Sequence, residues 1–325
     1  MHPTPADPIV AAQAALTEAV RLLDRSLAPG RKVRAFQRAA DVVAGLDPAD
    51  LVGRATAGTL TELDGIGSST GAVITAGALG LPCAYLERLE RETRIDPGVG
   101  ADLAARLRGD CHTHTTWSDG GASLEQMARA AMALGHEYLV VTDHSPRLTI
   151  AHGLSPERLR EQLAEIATWN ERLAPFRILT GMEVDILVDG SLDLEDSLLE
   201  QLDVVVASVH SKLSMPRDEM TRRMVLAVAS PHVDILGHCT GRKVVGRGRP
   251  ASAFDAELVF AACARFGTAV EINCRPERQD PPEELLTLAV EWGCDISIDT
   301  DAHAPGQLEW LPYGADKAVR CGVPA

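Results

Sequence analysis

After about Leu107 the chain alternates short runs of β-branched and other apolar residues with stretches of helical period, and this alternation restricts the possible folds most. The runs are YLVVT at 138–142, RILTGMEV at 177–184, DVVVASV at 203–209, VDILG at 233–237, TAVEIN at 268–273 and DISID at 295–299, and a shorter one lies near Arg108–Cys111. Helical periods fill the intervals, around 123–134, 156–173, 217–229, 253–266 and 282–292. Strands that are apolar on both faces must be covered on both faces, and strands separated by helices run parallel. The expected class is therefore α/β, a βα-repeated sheet or barrel of at least seven units.

The ligand-type residues fall where such a fold makes its site. Asp110, His112 and His114 follow the first run, Asp143 and His144 the second, Glu183 and Asp185 end the third, His210 follows the fourth, His238 the fifth, and Asp301 with His303 the seventh. In a βα barrel the loops after every strand converge on one face, so residues far apart in sequence meet in one pocket. Neutral imidazoles and carboxylates are what a divalent transition metal requires. A single strand-end histidine would weigh little, since most histidines serve as hydrogen-bonding groups. Here six of the ten histidines lie there, and His2, His136, His152 and His232 are assigned to the surface or to loops. Cys111, Cys239 and Cys274 alternate away from the site residues and are expected to be small core residues.

The first hundred residues differ in kind. Apolar positions at helical spacing predict helices over 9–27 and from Arg31 to about Ala44, then over about 47–57, 60–63, 68–78 and 82–92, with no convincing strand. Arg31, Lys32, Arg34 and Arg38 crowd the start of the second helix. Residues 96–106, with Pro97, Gly98 and Gly100, have the composition of a linker.

Charge and cysteine usage narrow the surroundings. With 46 acidic and 31 basic residues, a formal net charge of −15, the chain as a whole offers no field to nucleic acid or an anionic membrane, so any polyanion must be held locally. Seven cysteines, an odd number without short paired spacing, fit reduced thiols and a cytoplasmic protein. The segment MHPTPADPIV lacks a basic leader, and no apolar stretch reaches 18 residues, so neither secretion nor membrane spanning is expected. Nothing points to an obligate protein partner.

The strings DCHTHTTWSDG, TDHS at 142–145, GMEVDI at 181–186, SVHS at 208–211, ILGHCTGR at 235–242, EIN at 271–273 and TDAH at 300–303 together resemble the motif set of the PHP (polymerase and histidinol phosphatase) superfamily, over about 107–321. The resemblance implies a distorted (βα)7 TIM-like barrel with a trinuclear centre of manganese, zinc or iron. Its nine ligands match His112, His114, Asp119, His144, Glu183, His210, His238, Asp301 and His303. It assigns His112, His114, Glu183 and Asp301 to one ion, Asp119, His144 and His303 to a second, and His210, His238 and a bridging Glu183 to a third. The ions would generate a hydroxide nucleophile and neutralise phosphoryl oxygens, which leaves Ser145 and Ser211 only a positioning part. Asp110 and Asp143 are expected to orient imidazoles. Arg242 and Arg278, ahead of Arg247, Arg249 and Lys212, are the expected phosphate contacts, joining His112, His114, Glu183 and Asp301 as the expected catalytic set. The end at Cys321-Gly-Val-Pro-Ala is slightly short for the last strand and helix of that family.

GRKVRAFQRAADVVAGL at 30–46 with LTELDGIGSSTGAVI at 60–74 resembles the small amino-terminal domain of family X DNA polymerases, including its helix-hairpin-helix. That implies a small all-α domain over 1–95, a linker over 96–106 and a PHP phosphoesterase domain over 107–325. Gly65 and Gly67 would form a turn whose backbone N–H groups hold a DNA phosphate, and Lys32 and Arg34 would add contacts. The short interval leaves no room for a polymerase palm, and 68–80 lacks the lysine that lyase chemistry needs. The leading expectation is a metal-dependent phosphoesterase acting on DNA 3′ ends. The alternatives are a small-molecule phosphomonoesterase of the histidinol-phosphatase type and a non-catalytic DNA-binding module with structural metals.

Overall fold

The helical segment begins at Asp7, whose carboxylate accepts from the N–H groups of Ile9 and Val10 (3.0 and 3.2 Å), with Pro8 in the first turn. The computed structural model describes residues 7–324, so His2 lies outside the described residues. The chain divides into two compact units, the first running to Arg94 and the second starting at Ile95.

The first unit holds α1 (Pro8–Arg25), α2 (Gly30–Ala44), α3 (Pro48–Ala57), α4 (Ser68–Leu79) and α5 (Ala84–Thr93). Asp47 caps α3 in the same way as Asp7 caps α1, and Gly58, at φ +72°, ends it in the left-handed region. Leu16, Leu22, Leu23, Phe36, Val43, Leu51 and Ile74 form its core. Helices α1 and α4 approach closely because a β-carbon on Gly77 would stand 2.7 Å from Ala12 Cα. Between α3 and α4 a 3-10 turn at Leu60–Glu62 leads into Gly65, whose φ of +85° suits a glycine.

The second unit runs α6 (Ala101–Ala104), β1 (Gly109–Asp110), α7 (Leu124–Ala133), β2 (Tyr138–Val141), α8 (Pro156–Leu173), β3 (Arg177–Asp185), α9 (Asp196–Leu199), β4 (Val204–Ser208), α10 (Arg217–Val228), β5 (Ile235–Leu236), α11 (Ala256–Phe266), β6 (Ala269–Asn273), α12 (Glu283–Glu291), β7 (Ile296–Asp299) and α13 (Leu311–Arg320). All seven strands are parallel, in sequential order β1 to β7. A parallel bridge between Thr113 and Ala302 nearly closes the sheet into a barrel, so the fold is a TIM-like α/β barrel of seven strands.

Side chains complete the seam. Asp110 accepts from Thr300 N–H (3.2 Å) and from its hydroxyl, and Asp299 accepts from Cys111 N–H (2.8 Å). Burial and the neighbouring Asp299 push Asp110 up to about 8. Asp110 therefore closes the barrel and steadies the backbone of His112 (3.1 Å); it does not orient an imidazole as expected.

Residues 96–106, with the composition of a linker, instead hold a 3-10 turn at Gly98–Gly100 and then α6. Asp316 on α13 accepts from Val99 N–H (2.9 Å), and a β-carbon on Gly100 would collide with the Asp316 backbone. Among the described residues no single helix is long and apolar enough to cross a membrane.

Asp24, buried on α1, yields a pH prediction. Burial pushes its carboxyl from an ordinary 3.8 up to about 7. The native state then binds more protons than the unfolded state across that interval, so stability is lost as pH rises from 4 to 7. Amide hydrogen exchange over 8–25 should be slower at pH 5 than at pH 8 after correction for intrinsic rates. Asp24→Asn should remove the difference and protect the helix at pH 8; an unchanged profile would contradict this.

Candidate metal centre

Glu183, in β3 and 1% exposed, is the meeting point of the site. Its Oε2 stands 2.9 Å from His144 Nδ1, 3.4 Å from His112 Nε2 and 3.6 Å from His114 Nε2, and its Oε1 lies 2.9 Å from His238 Nε2 and 3.2 Å from His210 Nε2. His112 and His114 follow β1, His144 follows β2, His210 follows β4 and His238 follows β5, so each comes from a strand's carboxyl end. Asp301 and His303 enter after β7, with Asp301 Oδ1 3.4 Å from His114 Nε2. Asp119 Oδ1 completes the far side, 3.5 Å from His144 Nε2 and 3.4 Å from His303 Nε2. Eight of the nine expected residues thus fall into overlapping groups, His114, Asp119, His144 and His303; His112, His114 and Asp301; and His144, Glu183 and His210, and the ninth, His238, joins them through Glu183.

The donors fit divalent cations. The Nε2 atoms of His112 and His114 and the Nδ1 of His144 are buried without a hydrogen-bond partner, although each faces a carboxylate. Two ligands at about 2.1 Å from one ion, at a tetrahedral angle, stand about 3.4 Å apart, which matches these separations. Charge is arranged to suit. Burial opposes ionisation of Glu183, but the imidazoles of His210, His112 and His144 outweigh it and hold the carboxylate well below its usual range. Burial opposes Asp301 too, and Arg275, His114 and Arg278 overcome it. Burial, then His303 and His144, keep His114 neutral, the form a metal needs.

The imidazoles are oriented by residues to which the sequence reading gave no such role, although it placed Asp185 at a strand end. Glu271 in β6 lies 2.6 Å from His112 Nδ1 and also accepts from the His238 N–H; Asp185 lies 2.5 Å from His210 Nδ1. Asp143, expected in that role, accepts instead from Thr115 N–H (2.8 Å), the Ser118 hydroxyl (2.5 Å) and Gln162 Nε2 (2.6 Å), and so shapes the loop that delivers Asp119. Ser145 donates from its backbone to Glu183 O and accepts at its hydroxyl from Asp185 N–H. Signals for Glu271 and Asp185 were present: Glu271 interrupts the apolar run AVEI of β6, and Asp185 ends β3 two residues after Glu183. Asp301, at φ +54°, and His238, at φ +21°, hold backbone conformations uncommon outside glycine.

Of the two expected phosphate contacts, Arg278 reaches the cluster, its Nε 3.2 Å from Asp301 Oδ2. Arg242 spends its guanidinium on carbonyls, Nε donating to Arg278 O (3.1 Å) and Nη2 to Gln279 O, so it braces that loop. Arg275, unremarked in the sequence, is the cation closest to the ligands. It donates to Asp301 O (2.7 Å) and lies 2.8 Å from His303 Nδ1, with its guanidinium over the Trp310 ring. Cys239 and Cys274 are buried, Cys111 is half-buried, and none belongs to a candidate metal-binding group among the described residues.

In the first unit Gly67 N–H donates to Thr70 Oγ1 (2.9 Å) and Ile66 N–H to Leu63 O (3.1 Å), so part of the expected phosphate cradle is already bonded. Gly65 packs near Val42 in α2, whereas Lys32 and Arg34 lie toward the other end of that helix, about 15 and about 12 Å away along its axis at about 1.5 Å per residue. Lys32 rests over the Tyr85 ring (5.6 Å). The turn and the basic cluster therefore do not converge on one phosphate.

Residues 110–274 match the PHP domain family. The chain belongs to that family. Asp301 and His303 lie beyond the matched span. The DNA polymerase/3'-5' exonuclease PolX of Bacillus subtilis is 40% identical over 213 residues, covering 66% of this chain; the match spans only 37% of that protein's length. A probable phosphatase of Thermoanaerobacter sp. is 31% identical over 205 residues, 60% of this chain and 78% of the relative. A solved histidinol phosphate phosphatase from Lactococcus lactis, bound to zinc, L-histidinol and phosphate, aligns with a TM-score of 0.45 at 19% identity, covering 66% of this chain and 92% of its own. The PHP-domain protein is a metal-dependent phosphoesterase, which sets aside the reading in which its metals serve structure alone.

Removing an orienting carboxylate should loosen the metal without removing a donor. Glu271→Gln and Asp185→Asn should each weaken zinc or manganese binding about 10- to 100-fold, read by competition with a chelating dye, while circular dichroism stays unchanged. Unaltered affinity in both would show that the imidazoles need no such support.

Proposed function

We propose that this PHP-domain phosphoesterase acts on DNA 3′ ends, as a 3′–5′ exonuclease or 3′-phosphatase in DNA repair, in the cytoplasm. The observation that carries the chemistry is the convergence of seven further donor side chains, several with unpaired imidazole nitrogens, around Glu183 and Asp301. We assign His112, His114, Glu183 and Asp301 to one ion, Asp119, His144 and His303 to a second, and His210, His238 and Glu183 to a third. When bound, the ions supply Lewis acidity toward phosphoryl oxygens and lower the pKa of water. The protein's own residues set the stage: Glu271 and Asp185 fix two rings, and Arg275 and Arg278 place positive charge beside Asp301, where a phosphoryl group gains negative charge. DNA as substrate is supported by the likeness to PolX and by the turn before α4, where the N–H groups of Gly65, Ser68 and Ser69 are available to a phosphate. The cytoplasm is supported by seven free cysteines.

A second reading, a small-molecule phosphomonoesterase of the histidinol-phosphatase type, draws on a specific observation: the match spans most of the Thermoanaerobacter probable phosphatase but little over a third of PolX. In that reading the helical unit takes no part in turnover.

Elemental analysis of protein purified without chelator should give more than two divalent ions per chain, and one or fewer would contradict the three-ion assignment. Asp301→Ala and His210→Ala should lower hydrolysis of any phosphoester by at least about a hundredfold with the fold retained, measured as steady-state turnover. Replacing Gly65 and Gly67 together by bulky residues should weaken DNA binding, while hydrolysis of a chromogenic phosphomonoester survives. Binding and strand degradation indistinguishable from wild type would favour the small-molecule reading.

A further inference from the structure

The loop after β5 carries charge unlike the rest of its unit. Residues 1–100 hold 10 basic and 12 acidic groups, so most of the net −15 belongs to the barrel, yet 235–254 contain Arg242, Lys243, Arg247 and Arg249 and no acid. The loop is a built hairpin. Lys243 and Arg249 exchange backbone hydrogen bonds of 2.9 and 2.8 Å, Gly246 and Gly248 turn its tip at φ +72° and +68°, and Arg249 Nε ties it to Gly241 O at 2.6 Å. It leaves the barrel three residues after His238, on the face of the metal centre, and Val244 N–H fastens it to Glu277 O (2.7 Å) in the loop that carries Arg275 and Arg278. Among the described residues the ion pairs on these two loops use only Arg275 and Arg278, with Glu277 and Asp301; none involves Lys243, Arg247 or Arg249. Burial and then the charges of Arg278 and Arg249 depress Lys243 against the opposing pull of Glu277, so the cations stand close enough to repel one another. At the tip Val244 and Val245 are 48% and 58% exposed beside them.

Unpaired, mutually repelling cations on a fixed hairpin are relieved by a polyanion, and exposed valines among them offer apolar contact to bases. We propose that the 241–249 hairpin is a track for the single-stranded nucleic acid leading to the metal centre, contacting phosphates beyond the one hydrolysed. The track rests on the reading of a nucleic-acid substrate and deepens it. A phosphomonoester fills only the metal centre and leaves the hairpin idle; a strand engages both.

The test is full-length, manganese-loaded protein with Lys243→Ala and Arg247→Ala combined, two exposed residues outside the metal cluster. Fluorescence anisotropy with a twelve-residue oligothymidylate should show affinity about tenfold weaker than wild type, with a log–log salt slope shallower by about 1.4, the counterions of two single-strand phosphates. Hydrolysis of 4-nitrophenyl phosphate should be unchanged. Equal oligonucleotide affinity in wild type and variant overturns the track and leaves a solvated basic loop. A parallel fall in 4-nitrophenyl phosphate turnover also overturns it, because the hairpin would then support the centre itself. Inorganic polyphosphate is the second probe: Val244→Ser with Val245→Ser should weaken the oligonucleotide and spare polyphosphate, and equal effects would remove the bases from the account. Wild type that binds the oligonucleotide without degrading it would refute the DNA-end activity while leaving the track standing.

Discussion

One buried carboxylate organises the catalytic half of the molecule. Glu183 meets imidazoles delivered from four other strand ends, and neither side tolerates the interior alone: an isolated buried carboxylate is too costly, and so is a set of lone pairs without partners. Cations held between them satisfy both. The demand for such ions is thus written into the protein's own electrostatics.

The barrel serves that meeting through its edges. Very short strands at β1 and β5 let the chain leave the sheet early, so that His112, His114 and His238 emerge where the longer β3 brings Glu183. Asp110 and Asp299 close the seam at which β1 and β7 would otherwise present unpaired groups, and this fixes the backbone of Asp301 and His303 relative to that of His112. The carboxylates around the centre therefore differ in function according to depth. Those facing the cavity bind or orient, and those beneath it hold the frame.

Much of this was legible because two rules are nearly geometric. Parallel strands that must be covered on both faces betray themselves as Val/Ile runs, and a βα repeat puts its functional side chains at the ends of those runs, so eight of the nine donors could be placed before any coordinates, and Asp119 came only from the resemblance of its motif. Less was legible where a residue's direction depends on register. Glu271 sat inside AVEIN as though it were a polar interruption, and only the pleat turns it inward to His112. Asp110 and Asp143 adjoin ligands in sequence, but alternation points them elsewhere. Arg242 and Arg275 look alike in the chain, and loop closure alone decides that one grips carbonyls and the other approaches Asp301. The segment 96–106 read as a linker from its glycines and proline, whereas Gly100 is there to let the chain press against α13. In the first unit the sequence placed the basic residues at the start of α2 and the glycine turn before α4, but not the packing of that turn near Val42 toward the other end of α2.

The central claim is that Glu183 and Asp301 stand among bound cations in the working enzyme. Anomalous diffraction from crystals grown with manganese, recorded on both sides of the metal's absorption edge, tests it most directly. The account predicts anomalous peaks within coordination distance of Glu183, Asp301 and Asp119. Density in which those carboxylates pair only with protonated imidazoles, and no peak appears among them, would contradict it.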